Sequence, residues 1–401
     1  MEKSDPVLET PKAKKSPWET IVATTPVILT VMATLLAGLS SSEMTQSMYF
    51  RSVAAQNQSK VGDQWAFFQA KRIRGTTIEM EISLLPVFAR PGRLDPAMLL
   101  AASQRLTVSL KQAEQQAEQL AKAAGDEEAA DDVQQAVEKY LRAVRAKAAQ
   151  SEKSTQALAA ELKKEDVAAA FAYLGTNKLP EVKDETFEDA RIKEAVELIA
   201  RRKPEQEIAP VVRPLKDAPL EKALAAALGN AARFDEAGDA VGKQLRETDK
   251  LVNQQSTLAA EFYQAFLQAE AALHANGPTP DSMRQTLERS EEGVRRAADD
   301  LSNLYKAAWN DFTARRYRQE GRYNQRLAEL YEVQVHRNGA LSDMHRTRSK
   351  NFFFGMLGAQ AGVAISSFAL AARQKSVFWM LATILGIGAL LFSGYVYLYM
   401  Q

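Results

Sequence analysis

The sequence predicts an all-α fold: three transmembrane helices and, between them, a long antiparallel coiled-coil or helical-bundle aqueous domain. Three observations lead there. Apolar runs long enough to cross a bilayer lie near both ends of the 401 residues. Aliphatic and alanine residues recur at seven-residue spacing through the middle. Glycine and proline cluster at only a few places, which leaves long uninterrupted helical stretches between them. A formal net charge of +1 gives no global attraction to nucleic acid or acidic substrates, although 25% of residues are charged. The chain has no cysteine, which removes disulfides, thiolate metal sites and cysteine nucleophiles together.

Residues 1–17 form an N-terminal tail carrying Lys3, Lys12, Lys14 and Lys15. From Trp18 to Leu39 Glu19 is the only charge, so 18–40 reads as the first transmembrane helix. A cleaved signal peptide, with Gly38 and Ser40 at the cleavage point, is the competing reading. The run is longer than a signal-peptide core, which favours an uncleaved anchor. Pro26 predicts a bend. Only Gly62 and Gly75 interrupt the chain before Pro86, so a membrane-proximal helix over 41–85 continues the span, rising roughly 70 Å at 1.5 Å per residue. Pro86, Pro91, Gly92 and Pro96 end it.

Residues 86–278 read as an inserted helical domain. Leu99, Leu106, Ala113 and Leu120 fall seven apart, with Leu110, Ala117 and Ala124 interleaved, a seam whose small members imply close helix packing. A single solvated helix of low complexity is the other reading; a seam held over several turns favours packed helices. Gly125, Asp126 and Glu127 suggest a turn, after which Val133, Val137, Tyr140 and Val144 resume the period. A further helix is expected from Glu185 to Arg202, with Phe187, Ala195 and Leu198 inward. The proline-rich stretch 204–219 reads as a semi-rigid linker or a cap over the far end of the domain. One long helix is then expected from Leu220 to about Leu273, with Phe234, Val241, Leu245, Val252, Phe262 and Phe266 as its apolar residues.

Asn276, Gly277 and Pro278 stop that helix, and Thr279 and Pro280 open a returning helix over 279–351. Two spans follow, 352–372 and 377–400, joined by a basic turn that contains Arg373 and Lys375. Gly358, Gly362 and Ser366 recur every four residues, a spacing that lets helices approach closely in lipid. They serve either packing within the chain or contact between protomers. If the helix leaving the first span and the one entering the second are antiparallel, equal heights face each other. Trp65 is then level with Tyr323 to Leu330, Tyr49 and Phe50 with Leu341 and Met344, and Glu79 and Glu81 with Arg315 and Arg316 in an acid–base contact.

The most selective stretch is QNQSKVGDQWAFFQAKRIR, from Gln56 to Arg74. Val61, Trp65, Phe68 and Arg72 share one helical face, and Asn57, Gln64 and Lys71 form a polar stripe beside it. One reading is a helix–helix seam whose buried amides fix register. The other is a ligand or partner surface built from Gln58, Asp63, Gln69, Lys71 and Arg72. The seam is preferred, because it needs only these residue types at helical spacing. Asn57, Gln58, Gln64, Trp65, Gln69, Ala70 and Lys71, set between a membrane anchor and a C-terminal hairpin, resemble an uncharacterised bacterial membrane family known only as a domain of unknown function. The resemblance spans Thr20 to Thr77 and Leu304 to Tyr397. It departs in Phe67 and Phe68, where tyrosine is usual, and in the middle region, which typical members lack. It implies a membrane location and a helical fold, and transfers no catalytic residue.

From Trp309 to Arg326, Arg315, Arg318, Arg322 and Arg326 line up beside Tyr317 and Tyr323. Such a stripe can grip phosphates, but a salt-bridged face with Glu79 and Glu81 as partners is the simpler reading, and nucleic acid is not expected as a partner. No phosphate loop, nucleophile elbow or zinc pattern occurs, so no catalytic, cofactor-binding or metal residues are assigned and no cofactor is expected. Glu332 and His336 lie four apart, not the three of a bundle di-metal site, and read as a local surface pair. The expected function is a non-enzymatic scaffold or assembly subunit, with a subunit of an oligomeric channel or transporter as the alternative. Expected partners are the lipid bilayer, an unidentified protein and a further copy of the chain. The expected location is the bacterial cytoplasmic membrane. Basic residues balance across it: the tail lysines, Arg373 and Lys375 against Arg51, Lys60, Arg337, Arg346, Arg348 and Lys350. Short connections carry more weight in the charge rule, which places the N-terminus in the cytoplasm and the large domain outside.

Overall fold

In the computed structural model the described residues are 17–84, 94–126, 131–176, 178–183, 189–275, 281–371 and 375–399. Among them every regular element is an α-helix: α1 (Pro17–Leu84), α2 (Pro96–Asp126), α3 (Asp131–Glu161), α4 (Glu165–Gly175), α5 (Ala190–Ala200), α6 (Glu205–Val212), α7 (Asp217–Gln244), α8 (Arg246–Ala275), α9 (Asp281–Ala371) and α10 (Lys375–Tyr399). The first span and the membrane-proximal segment are one helix, α1, with Pro26 inside it. The returning helix and the second span are likewise one helix, α9. Among the described residues α1, α9 and α10 are long and apolar enough to cross a membrane. The breakers at 86, 91 and 92, Glu127, the stop at 276–280, the basic turn at 372–374 and the tail lysines lie outside the described residues.

The chain divides into two compact units. One comprises Met1–Gly62, Glu188–Ala223 and Ala328–Gln401, and the other Asp63–Phe187 and Leu224–Leu327. In the first, Ala33 and Leu36 of α1, Phe352 and Ala359 of α9, and Ala389 and Val396 of α10 form a core. Alanines at these contacts let the helices approach closely, while Val27, Leu35, Ile384 and Leu391 point away from it. An outward apolar surface is what a helix facing lipid requires.

The same unit corrects the reading of the proline-rich stretch. It is not a linker. Pro204 caps α6, Pro210 lies within α6, and Pro219 sits in the first turn of α7, where an amide has no helical acceptor to lose. The stretch also belongs with the membrane-spanning unit rather than over the far end of the domain. His336 Nδ1 of α9 lies 2.6 Å from Glu205, and Arg337 donates through Nε to the Leu215 carbonyl at 2.6 Å and through a terminal nitrogen to Asp217. α5 begins at Asp189, whose carboxylate accepts from the Arg191 and Ile192 amides. Its buried face is Ile192, Ala195 and Ile199; Leu198 is only half-buried, and Phe187 lies outside the described residues.

In the second unit the seven-residue seam of α2 is buried along its length, from Leu99 through Leu106 and Leu110 to Ala124. α2 packs against α3, which turns Val137, Tyr140 and Val144 inward, and α3 against α8. α2 runs through Gly125 to Asp126, so these two residues, expected in a turn, are helical. The long helix expected from Leu220 is two helices, α7 and α8, separated by a turn residue at Leu245. The Leu245 and Asp249 amides still bond four residues back, to Val241 and Leu245. The interruption therefore breaks few hydrogen bonds, and the apolar spacing continues across it with Phe234, Val241, Leu245, Val252, Phe262 and Phe266 all buried. One layer of this core is polar. Ser103 and Thr107 of α2, Ser151 and Thr155 of α3, and Gln255 of α8 bond one another at 2.7–2.9 Å.

Candidate functional site

The candidate site is the inner face of α1. Burial along this helix recurs at alternating steps of three and four, through Leu36, Glu43, Phe50, Asn57, Gln64 and Lys71, with Ser40, Ser47, Val61, Phe68 and Gly75 interleaved. That alternation is the coiled-coil period, and the facing helix is α9 in antiparallel orientation.

Within the first unit Ser40 meets Ser349: the Ser40 hydroxyl donates to the Ser349 carbonyl at 2.9 Å, and the Ser349 hydroxyl donates to the Ser40 carbonyl at 2.8 Å. Seven residues on, Ser47 meets Ser342 at 3.1 Å. Between them Glu43 takes His345 Nδ1 at 2.6 Å and Arg348 at 3.3 Å, all three largely buried, and the Phe50 ring stacks on the His345 imidazole at 5.4 Å. Lys60 lies over the Tyr331 ring at 5.4 Å.

Within the second unit Phe68 lies against Gly321, where an added Cβ would stand 3.5 Å from the ring, and Gly75 lies against the Ala314 carbonyl. Lys71 forms an ion pair with Glu320 and lies over the Tyr317 ring at 5.0 Å. Glu320 also takes Arg316 at 2.5 Å, and Arg316 reaches Asp239 of α7 at 2.7 Å. Burial pushes the Glu320 carboxyl above its ordinary range, while Lys71 and Arg316 pull it the other way. The Arg316 guanidinium occupies the space where Gly238 would carry a side chain: a Cβ there would come within 2.6 Å of Nε.

These contacts sort the motif residues. Asn57 and Val61 are buried, and Gln64, Trp65, Phe68 and Lys71 are half-buried. Gln58, Gln69 and Arg72 are exposed. Arg72 therefore does not share a face with Val61 and Phe68; Lys71 holds that place, and the polar stripe is part of the seam rather than beside it. The acid–base contact expected for Glu79 is made with Arg318 at 3.0 Å, not with Arg315 or Arg316, and Glu81 is exposed. Arg315 turns instead to Asp311 and to the carbonyls of Tyr173 and Lys178. Arg322 lies 3.5 Å from Gln319, and Arg322 and Arg326 are both exposed. His336 pairs with Glu205. In the spans, Gly358 faces Ala389 of α10, Gly362 faces Leu29 of α1 and the Ala382 carbonyl of α10, and Ser366 is fully buried with its hydroxyl on the Val363 carbonyl.

Sequence reasoning missed the Glu43, His345 and Arg348 cluster. Its signal was present: Glu43 is the only acidic residue between Thr20 and Gly62. It also missed a groove of about 270 Å3 between α8 and α9, lined by Tyr263, Ala259, Ala298, Glu291, Arg295 and Asp299 among others. Phe262, expected from the sequence only as an apolar residue of its helix, also lines it, whereas none of the candidate site residues does.

A sequence profile described as Domain of unknown function (DUF4337) matches residues 18–276, more than half of the chain. The chain belongs to this family. The DUF4337 match begins at α1, takes in the region read from the motif as an insertion, and ends before α9. No curated protein and no solved structure matches the chain.

Proposed function

We propose that this DUF4337 protein is a non-enzymatic, membrane-anchored helical scaffold or assembly subunit of the bacterial cytoplasmic membrane. One observation carries the reading. Of the side chains with which the motif could have built a ligand surface, Lys71 is taken up by Glu320 of α9, and the others, Gln58, Asp63, Gln69 and Arg72, are exposed rather than part of that seam. A motif spent on pairing α1 with α9 fixes where the helices run, which is what a scaffold asks of its sequence. The channel or transporter alternative drew on Gly358, Gly362 and Ser366 as a face between protomers, and Gly358 and Gly362 lie against α1 and α10 of the same chain.

Chemical cross-linking in intact cells, followed by purification of the tagged chain, tests the proposal. The expected result is a defined set of membrane or envelope proteins, lost when residues 96–275 are removed while the chain stays in the membrane. Recovery of the chain without any partner at every cross-linker length overturns the scaffold reading. Ion flux through liposomes carrying the purified protein would favour the channel instead.

A further inference from the structure

The face of α1 turned away from α9 carries a second seam. Starting at Gly38 and stepping alternately by three and four residues, through Met48, Ala55, Gly62 and Ile73 to Met80, every position is exposed and none is charged. Its large side chains stand open: Met48 is 59%, Ile73 64% and Met80 70% exposed. A helix face that meets only water usually carries charge, as α3 does with Glu138 and Arg142. A Cβ placed on Gly38 or Gly62 would meet nothing within 4 Å, so among the described residues nothing covers this face there.

We propose that this outer face pairs in parallel with the same face of a second copy of the chain. The inference rests on the membrane-anchored reading, because common anchoring is what orients the two copies. Chains inserted the same way into one bilayer leave it in the same direction, so equal heights on two α1 helices meet across a two-fold axis. Such an interface must be complementary to itself. An uncharged seam satisfies this, whereas a charged residue on it would face its own copy. The flanks agree. In a parallel pair, side chains five residues apart meet beside the seam, giving Arg51 with Gln56, Gln58 with Asp63, Trp65 with Ala70, and Arg72 with Thr77. No like charges coincide in these pairs, and Gln58 offers Asp63 a donor.

The absence of native cysteine gives a clean test. Ser52→Cys, Ser59→Cys and Ala66→Cys lie on the outer seam. Gln46→Cys, Lys60→Cys and Arg74→Cys lie on another exposed side of α1. Each variant of the full chain is oxidised with copper phenanthroline in native membranes. The expected result is a disulfide-linked product of dimer mass, several-fold more abundant at the three seam positions than at the three controls. Equal yields at all six, no dimer at any, or a product of another mass overturn the pairing; the last would assign the face to a different protein. Carbonate extraction of the same membranes separates the two levels. A retained chain that fails to cross-link defeats the pairing alone, and a released chain defeats the anchoring on which it rests.

Discussion

At the scale of single residues, Glu320 shows how closely charge is managed in the seam. Its side chain is 4% exposed, while Lys71 and Arg316 are 23% and 19% exposed. Removing one partner of a fully buried ion pair, which leaves the other charge uncompensated, costs about 3–5 kcal/mol. Deleting Glu320 instead leaves two partly solvated cations, one of which keeps Asp239, so Glu320→Ala is expected to cost nearer 1.5–3 kcal/mol by thermal unfolding, roughly the worth of hydrogen bonds to charged groups. The pH dependence has a definite sign. A carboxyl whose folded value is raised holds its proton more tightly in the folded chain, so its contribution to stability falls as pH rises from the ordinary carboxylate range through that raised value. Glu320→Gln should flatten this slope, measured by circular dichroism melts across the window; an unchanged slope would remove Glu320 as its source. Gly238→Ala should displace the Arg316 guanidinium and weaken its bond to Asp239, and pairing it with Arg316→Ala should recover most of the loss. The sequence announced Lys71 but misplaces its neighbour: Arg72, expected on one face with Val61, Trp65 and Phe68, is exposed, while Trp65 and Phe68 are half-buried. The alternation of three and four from Asn57 through Gln64 to Lys71 overrides residue type, since the position of a side chain around the helix decides what it meets.

At the scale of elements, the seam of α2 was legible because every member is alanine or leucine at coiled-coil spacing, and all are buried. Leu106→Ala should cost about 2–5 kcal/mol, a cavity in a core with little freedom to collapse. A small loss there would mean that α2 and α3 close on the gap. α6 was illegible for the opposite reason. The prolines of 204–219 suggest a linker or a cap, yet a proline at a helix cap or in a first turn has no amide bond to forfeit. What ties α6 to α9 is His336, whose Nδ1 lies 2.6 Å from Glu205 although it is over a hundred residues away in the sequence, and no local pattern reports such a partner. His336→Ala should therefore raise amide exchange across Glu205–Val212 selectively, leaving α2 and α3 unchanged. The break at Leu245 was hidden because the apolar spacing runs straight through it.

At the scale of the molecule, the three spans were readable from apolar length alone, whereas the division into two units was not. It falls at Gly62 in α1 and at Leu327 in α9, inside unbroken helices, and depends on which distant residues gather around each stretch. The charge rule, weighted to the short basic connections, leads us to expect the bundle formed by α2, α3 and α8 outside the cytoplasm. A protease site inserted between α2 and α3 should then be cut in intact spheroplasts. Cutting only after lysis would reverse the orientation.

The pairing of Ser40 with Ser349 also has a consequence for biosynthesis. The two residues lie 309 apart in the sequence. At roughly 5–20 residues per second, the ribosome delivers the partner about 15–60 s after α1 has emerged. A seam of leucines would spend that interval as a sticky, unpaired surface. The seam of α1 spends it with Ser40, Glu43, Ser47, Asn57, Gln64 and Lys71 to hydrate, so the polar residues that fix its register in the finished protein also keep it tractable while it waits.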